Sequence, residues 1–379
     1  MTNFDTIVIG GGIVGMTVAR GLARRGQQVA LFDRNSLGLE ASKAAGGMLM
    51  PQLRPDSPLG KPFLALALDS LRRYKRFIAE IEEECGAKVP VGAGGSLLVA
   101  FDKTLAAELQ QWGKEFPVEN KWRSSKELLR LEPALSPDVI GGCELRSFVS
   151  VHSQDIVALM AWEIATPASR VAVHEYAHVR KIEETPRAAK VITDTGSYTA
   201  AHIVIAAGAW SSHIEGVGRL MPPVKPIRGQ IIKVLASSRS LLRHTVYANK
   251  FYLVPRGREI LIGSTLEDVG FEKRVTVSAS ADLLAKAQRV MPAIGACGIL
   301  DSWAGLRPMV ADGYPVIGKL SDRVIAATGH FRDGILLAPA TAAYVTELVC
   351  EGKTNSMIRP FGAERFAAAP RPKRASAKK

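Results

Sequence analysis

Gly10-Gly11-Gly12-Ile13-Val14-Gly15 has the spacing of a turn that carries a phosphate group. In such a turn Gly10 permits the tight bend, Gly12 lets the backbone approach a pyrophosphate, and Gly15 lets the next helix sit close to the strand before it. Asp33 stands eighteen residues after Gly15, where a carboxylate accepts hydrogen bonds from a ribose diol. Arg34 follows and weakens the case against a 2′-phosphate, because an arginine there accommodates one. These residues describe a dinucleotide site without separating FAD from NAD. A second pattern, His174-Glu175-Tyr176-Ala177-His178, has the spacing of a zinc protease. That chemistry needs a helix, which puts both histidines on one face with the glutamate near a metal-bound water. Here Val171, Val173, Ala177 and Val179 alternate with polar residues, so the flanks read as a strand; no third ligand is evident, and no metal is expected.

The elements that must position the glycine turn follow from its flanks. Thr6 to Ile9 is a β-branched apolar run, a helix-compatible stretch leads to Arg25 with Gly26 as its stop, and a second strand runs from Val29 to Phe32. Further on, helices are expected over Phe63 to Cys85, Lys103 to Phe116, Lys126 to Leu131 and Gln154 to Ile164, and strands over Gly95 to Ala100, Val171 to Val179 and Ala201 to Ala207. The proline-rich stretch Met221 to Pro226 marks a boundary. Beyond it Gly229 to Leu235, Phe251 to Pro255 and Glu259 to Gly263 have the short, turn-separated character of an antiparallel sheet. The chain then repeats strand, loop and helix over Val324 to Ala327, Thr328 to Gly334 and Ile335 to about Val349. A helix start there faces an anion or a partly negative ring edge.

The 379 residues, 47% of them hydrophobic, exceed one ordinary core and allow about two packed domains. No internal repeat is found, which excludes solenoids and propellers. No apolar run approaches the ~20 residues of a membrane span, the longest being stretches such as Ile203 to Trp210. The N-terminus lacks the basic leading region and small-residue cleavage site of a secretory signal, so a soluble, cytoplasmic protein is expected. Cys85, Cys143, Cys297 and Cys350 lie far apart, as idle thiols do. The net charge is +13; the tail from Arg371 to Lys379 supplies five positive charges, and +8 remains without it. The tail, 367–379, is expected to be a solvated, disordered end. A basic body attracts nucleic acid, acidic lipid or a carboxylate substrate alike, so charge does not choose among them.

Four motifs, in this order, carry a family resemblance: Ala41-Ser42-Lys43-Ala44-Ala45-Gly46-Gly47-Met48-Leu49, Ala206-Ala207-Gly208-Ala209-Trp210, Trp303-Ala304-Gly305-Leu306-Arg307-Pro308 and Gly329-His330-Phe331-Arg332-Asp333-Gly334-Ile335-Leu336. Together they resemble the D-amino-acid oxidase superfamily of FAD-dependent oxidoreductases, and within it most resemble the glycine oxidases of thiamine biosynthesis. The likeness runs from about residue 4 to 350. It implies a mixed α/β (α+β) fold: a Rossmann-like FAD-binding domain, discontinuous in sequence over 1–85, 149–220 and 299–366, and a substrate domain over 86–148 and 221–298 with a mixed, mainly antiparallel sheet. By this resemblance Gly10, Gly12, Ile13, Val14, Gly15, Asp33, Arg34, Ser42, Gly46, Gly47, Met48 and Gly208 belong to the FAD site. Val179 would meet the adenine through its backbone, and His330, Phe331, Arg332, Asp333, Gly334, Ile335 and Leu336 the pyrimidine edge of the flavin.

The resemblance also assigns the substrate site. Arg307 clamps a substrate carboxylate, a task suited to a planar fork of donors. Tyr252 hydrogen-bonds the same carboxylate, Arg332 lies beside flavin and pocket, and Met48 borders the substrate. Taken alone, Arg307 reads as an exposed or ion-paired arginine, Tyr252 as a half-buried strand tyrosine, and Arg332 as a partner of Asp333 or a loop carbonyl. The implied reaction is oxidative deamination of glycine, sarcosine or a small D-amino acid, with O2 reduced to H2O2 and no dedicated acid–base residue. No cysteine lies beside Arg307, so FAD is expected to be held non-covalently. His152-Ser153 stands where many relatives carry Asp-Pro, and Lys250 sits two positions before Tyr252 at the pocket edge, where relatives vary. Three alternatives remain open: an amine or amino-acid dehydrogenase, an enzyme trimming the carboxymethylaminomethyl group of wobble uridine in tRNA, and a flavin-binding module without turnover. No basic helix or aromatic platform announces nucleic acid. A homo-oligomer is compatible with all of these.

Overall fold

The computed structural model describes residues 3–51, 57–92, 94–116, 119–217, 221–239, 241–249 and 251–367. Lys250 and residues 368–379, with nearly all of the expected tail, lie outside them.

The chain forms two eight-stranded sheets. The first has the order β15 (Val316–Lys319), β16 (Val324–Thr328), β9 (Ser197–Ile205), β1 (Asn3–Ile9), β2 (Val29–Phe32), β6 (Val171–His174), and a hairpin of β7 (Val179–Glu184) and β8 (Ala189–Thr193) joins at β9. Its centre is parallel: β1 pairs with β2 and β9, β9 with β16, and β2 with β6. Parallel strands need crossovers, and the crossover from β1 to β2 is helix α1 (Ile13–Arg24). Helices α2 (Gly60–Cys85), α5 (Ser153–Ala165) and α7 (Gly334–Glu351) join α1 on one face, where Val8, Leu31, Met16, Leu66, Ile156 and Leu337 share a core. The opposite face, with Ile7, Ile9, Phe32 and Ile203, packs on Val179 and Val191 of the hairpin. Burial on both faces explains why these strands are continuous apolar runs.

The second sheet has the order β14 (Gly298–Met309), β10 (Lys225–Leu235), β13 (Glu259–Gly263), β12 (Phe251–Arg256), β11 (Thr245–Ala248), β3 (Ser96–Ala100), β5 (Gly141–Leu145), β4 (Lys121–Ser124). All its pairings are antiparallel except β11 with β3. Side chains alternate between its faces. Ile232, Val234, Phe251 and Ile262 join Leu128 of α4 (Ser125–Leu131) and Leu283 of α6 (Val277–Val290) in one core, while α3 (Lys103–Glu115) covers another part of the sheet near Phe116 and Leu145. Ile231, Tyr252, Val254 and Leu261 point the other way, with Met48, Tyr247 and Trp303 around them. That second face borders the first body, and the candidate site lies there.

Several expectations change. Val171–Val179 is two strands, not one: the chain turns at Tyr176, which has a φ of 55°, and Ala177 N–H donates to the Asp33 carbonyl at 2.8 Å. The expected boundary at Met221–Pro226 is interrupted at Lys225, where β10 begins, and Pro226 pairs with Pro308 inside the sheet. Residues 298–309 form β14, which joins the second sheet through β10. Their early part, Gly298 to Ser302, is exposed, Ile299 and Leu300 included, and pairing with β10 makes it a strand. Strands β4, β5, β8, β11 and β15 and helix α6 also went unrecognised. Contrary to the expectation of no long apolar segment, α7 is long and apolar enough to cross a bilayer, yet 72% of it is buried inside the protein, against α1 and α2.

Candidate functional site

The two bodies enclose a cavity of about 680 Å³, within the range of cofactor sites. Every residue expected at the site lines it except Gly15 and Leu336. Gly15 acts at one remove: a Cβ there would lie 1.8 Å from the Gly10 carbonyl oxygen, so its absence lets α1 close on the turn. Leu336 faces away. Helical rotation turns its side chain into the core, 1% exposed, and its carbonyl accepts a hydrogen bond from Ser70 Oγ at 2.6 Å.

At the nucleotide end the strand–turn–helix folds as its residues require. Gly10 has a φ of 107°, and a Cβ on it would come within 2.4 Å of the Ala206 carbonyl oxygen. Ser42 Oγ accepts from Ile13 N–H at 2.9 Å, tying the second motif to the start of α1. No acidic residue occupies the first turn of α1, so its positive end is left for an anion. Asp33 accepts from Gly11 N–H at 2.7 Å and Asn35 N–H at 2.8 Å; burial nevertheless pushes its pKa upward. Arg34 lies 3.5 Å over the Trp210 ring and pairs with Glu40 at 3.3 Å. Phe271, from the segment after β13, stands 5.1 Å from Trp210, and Lys273 pairs with Glu40 at 2.9 Å, so this end is bridged between the two bodies.

At the other end α7 begins on the cavity wall with no acid in its first turn. His330 is 4% exposed, meets Thr341 Oγ1 at 3.0 Å, and burial drives its pKa down to about 3. It is a neutral imidazole that orders the loop. Phe331 N–H donates to the Pro308 carbonyl at 2.8 Å, joining that loop to the end of β14. Arg332 stacks 5.2 Å from Phe331, and its charge acts on Arg307.

The side-chain alternation of β14 puts Gly305 and Arg307 on the face that lines the cavity, with Trp303 beside Ile231 and Tyr252. Arg307 donates to Ser264 Oγ at 2.6 Å and to the Thr265 carbonyl at 3.1 Å, and the Tyr252 hydroxyl also hydrogen-bonds it. No carboxylate lies within ion-pair distance of it among the described residues. Tyr252 is 7% exposed and lies under Gly46, where a Cβ would be 3.1 Å from its hydroxyl. Tyr247 packs edge-on to it at 6.3 Å, and burial raises the Tyr247 pKa well above the usual range. Sequence reasoning brought Arg307, Tyr252, Arg332 and Met48 together but missed Gly229, Ser264, Thr265 and Arg256. Arg256 Nη2 reaches Ser153 Oγ at 3.1 Å and the Gly46 carbonyl at 3.4 Å, holding the Gly46 loop to the second sheet. For Gly229 a signal existed, since glycine inside a strand marks a close approach.

The zinc-like pattern does not gather a metal site. His174 ends β6 and stacks on Phe32 at 4.4 Å, Glu175 accepts from Leu37 N–H at 2.7 Å, and His178 lies past the turn at Tyr176. The two histidines share no helix face. Among the described residues no group of three or more His, Cys, Asp or Glu could hold an ion.

A glycine-lined cradle and the acid-free start of α1 at one end, and at the other the start of α7 and a guanidinium with no carboxylate within ion-pair distance among the described residues, define a dinucleotide-dependent enzyme. Sequence and structure comparisons make the family specific. The DAO family, described as FAD dependent oxidoreductase, matches residues 5–348. Glycine oxidase of Bacillus licheniformis is 34% identical over 367 residues, covering 96% of this chain and 97% of that protein. The crystal structure of glycine oxidase from Geobacillus kaustophilus superposes with a TM-score of 0.90 at 30% identity, covering 97% of this chain and 100% of that one. The bifunctional protein ThiO/ThiG of Synechocystis is 31% identical over 96% of this chain, which spans 54% of that longer protein. The chain belongs to the DAO family of FAD-dependent oxidoreductases, with the mixed α/β fold of that family, and FAD is its cofactor.

Proposed function

We propose that this enzyme oxidises the C–N bond of a small amino acid, with glycine, sarcosine and small D-amino acids as the substrate class. The observation that carries the reading is Arg307: a cation lining the cavity, anchored through two of its nitrogens and with no carboxylate within ion-pair distance among the described residues. Such a group calls for an anion, and a planar guanidinium matches a carboxylate. The Tyr252 hydroxyl lies beside it as a further donor. Ile231, Met48 and Tyr247 supply apolar wall that excludes water from the reacting carbon.

FAD, held non-covalently by the Gly10–Gly15 turn, Asp33, Ser42 and the loop from His330 to Ile335, would supply the two-electron acceptor for the substrate, with O2 as the final acceptor giving H2O2. The protein's own part is orientation. Arg307 and Tyr252 fix the carboxylate, and the start of α7, with Asp333 at its N-cap position, would hold one edge of the acceptor at the cavity wall. No acid–base side chain is required: the amine enters as the free base, and the imine is hydrolysed by water to the 2-oxo acid and ammonia or amine. His330, neutral and bonded to Thr341, takes no proton. The similarity to glycine oxidases and to ThiO/ThiG supports a place in thiamine biosynthesis and a cytoplasmic setting.

Anaerobic mixing of the yellow enzyme with glycine, sarcosine, D-alanine, proline and a carboxylate-free amine tests this. Bleaching by one or more small amino acids, followed by peroxide on admitting air, is expected. Bleaching by none of them, or equal bleaching by the simple amine, overturns the reading.

A further inference from the structure

We infer that Ser264 and Gly229 form a built seat for the Arg307 guanidinium, and that Ser264 is thereby a positioning residue for substrate carboxylate recognition. The inference rests on the carboxylate-binding role proposed for Arg307.

An arginine side chain has many rotamers, and an unpaired cation in a cavity would sample them or fold back onto a wall. Three contacts prevent this. Nη2 donates to Ser264 Oγ at 2.6 Å, and Nη1 donates to the Thr265 carbonyl at 3.1 Å. The third contact is steric. A Cβ added to Gly229 would meet Nη1 at 2.1 Å, Nη2 at 2.2 Å and Cζ at 2.3 Å, so the guanidinium lies directly on the Gly229 backbone. A guanidinium has five N–H donors, two of them on each terminal nitrogen. The bonds to Ser264, Thr265 and the Tyr252 hydroxyl take three of these donors, and two remain for a carboxylate in the cavity that Arg307 lines.

The fold fixes the seat as firmly as the arginine. Gly263 ends β13 between Ile231 and Tyr252, and its missing side chain leaves room for the Tyr252 ring, which a Cβ would approach to 2.7 Å. Ser264 and Thr265 then leave the ladder. Thr265 Oγ1 accepts from Gln230 N–H at 2.9 Å, which fastens this pair to the strand position next to Gly229. Seat and cushion are therefore two parts of one rigid junction, in which the Ser264 hydroxyl bonds Nη2 of the guanidinium. Burial of Arg307 lowers its pKa and the Arg332 charge adds to that, while Tyr252 and the Glu267 charge oppose it.

The test measures acetate, a carboxylate that cannot be oxidised at an amine, binding to the FAD-loaded enzyme through the change in flavin absorbance. Wild type, Ser264→Ala, Ser264→Thr, Gly229→Ala and Arg307→Ala are compared, and FAD content is checked in each. Ser264→Ala is expected to weaken acetate roughly ten- to a hundred-fold, the effect of one hydrogen bond to a charged group, with FAD content unchanged. Ser264→Thr, which keeps the hydroxyl, is expected to restore most of the affinity. Gly229→Ala, which displaces the guanidinium, should weaken acetate at least as much; should it fail to fold, the serine pair decides alone. Unchanged acetate affinity in Ser264→Ala alongside its loss in Arg307→Ala overturns the seat and leaves the clamp. Equal loss in the alanine and threonine variants also overturns the seat. Unchanged affinity in Arg307→Ala overturns the clamp itself.

Discussion

Replacing Arg307 by alanine separates carboxylate recognition from the rest of the enzyme. With two N–H donors left for substrate after the bonds to Ser264, Thr265 and Tyr252, two charge-assisted bonds are lost, each about 1.5–3 kcal/mol. Together they amount to about 3–6 kcal/mol, or roughly a hundred- to ten-thousand-fold in kcat/KM for an amino acid at 1.4 kcal/mol per decade. The variant also leaves Ser264 Oγ and the Thr265 carbonyl without their donor, and that cost falls on every substrate. The informative quantity is therefore a ratio: kcat/KM for glycine or sarcosine over that for an amine of similar size without a carboxylate, in wild type and variant. Peroxide release measures both, or anaerobic flavin bleaching where turnover is slow. The ratio is expected to collapse by the factor above. Equal losses on both substrates would show that Arg307 supports the cavity and does not recognise the substrate.

Three further outcomes follow from other parts of the molecule. A Cβ on Gly12 would meet only Ser42 Oγ, at 3.3 Å, and its backbone is ordinary at φ −72°, so Gly12→Val should fold with unchanged secondary structure yet lose FAD affinity at least about ten-fold because the pyrophosphate needs that space; full FAD occupancy after dialysis would refute this. His330 has a folded pKa of about 3 against 6.5 when exposed, so between those values the unfolded chain binds a proton that the folded chain does not. Stability is then undiminished above pH 6.5 and lost as pH falls toward 3, at about 1.4 kcal/mol per pH unit, and His330→Gln should flatten that limb by one proton in denaturant titrations at several pH values. An unaltered slope would contradict it. Arg20, 7% exposed, bonds Glu163 at 2.5 Å, Glu84 at 2.9 Å and Glu80 at 3.2 Å, so Arg20→Ala leaves the buried Glu163 charge uncompensated. A loss of about 3–5 kcal/mol is expected in chemical unfolding, and a change under about 1 kcal/mol would place the ion cluster among those of no structural consequence.

The electrostatics at the two ends of the cavity answer different demands. At the nucleotide end, acid-free α1 offers a positive helix terminus, while Arg34, held between Trp210 and Glu40, contributes a flat cationic face. At the substrate end two guanidinium groups, Arg307 and Arg332, act on each other through space, which lowers the pKa of Arg307 further. Two like charges held near one another in a cavity favour any ligand that carries the opposite charge into it.

What the sequence determined by itself is local. Gly10 to Gly15 with flanking strand and helix, Asp33 after the second strand, and the separated motifs around Ser42, Gly208, Arg307 and His330 each carry their signal within a few residues, because turn geometry, strand alternation and helix starts are properties of short segments. The same locality explains the mistakes. Leu336 was grouped with the motif that contains it, and only the helical turn relative to α2 points it inward. Gly298 to Ser302, exposed on its own, became a strand only through β10. The seat of Arg307 is the fullest case: Gly229, Ser264 and Arg307 come from three strands or strand ends, and Ser264 lies 43 residues from the arginine that it holds. Pairing register put them together, and register is set by the burial of whole faces of a sheet, which no single segment encodes.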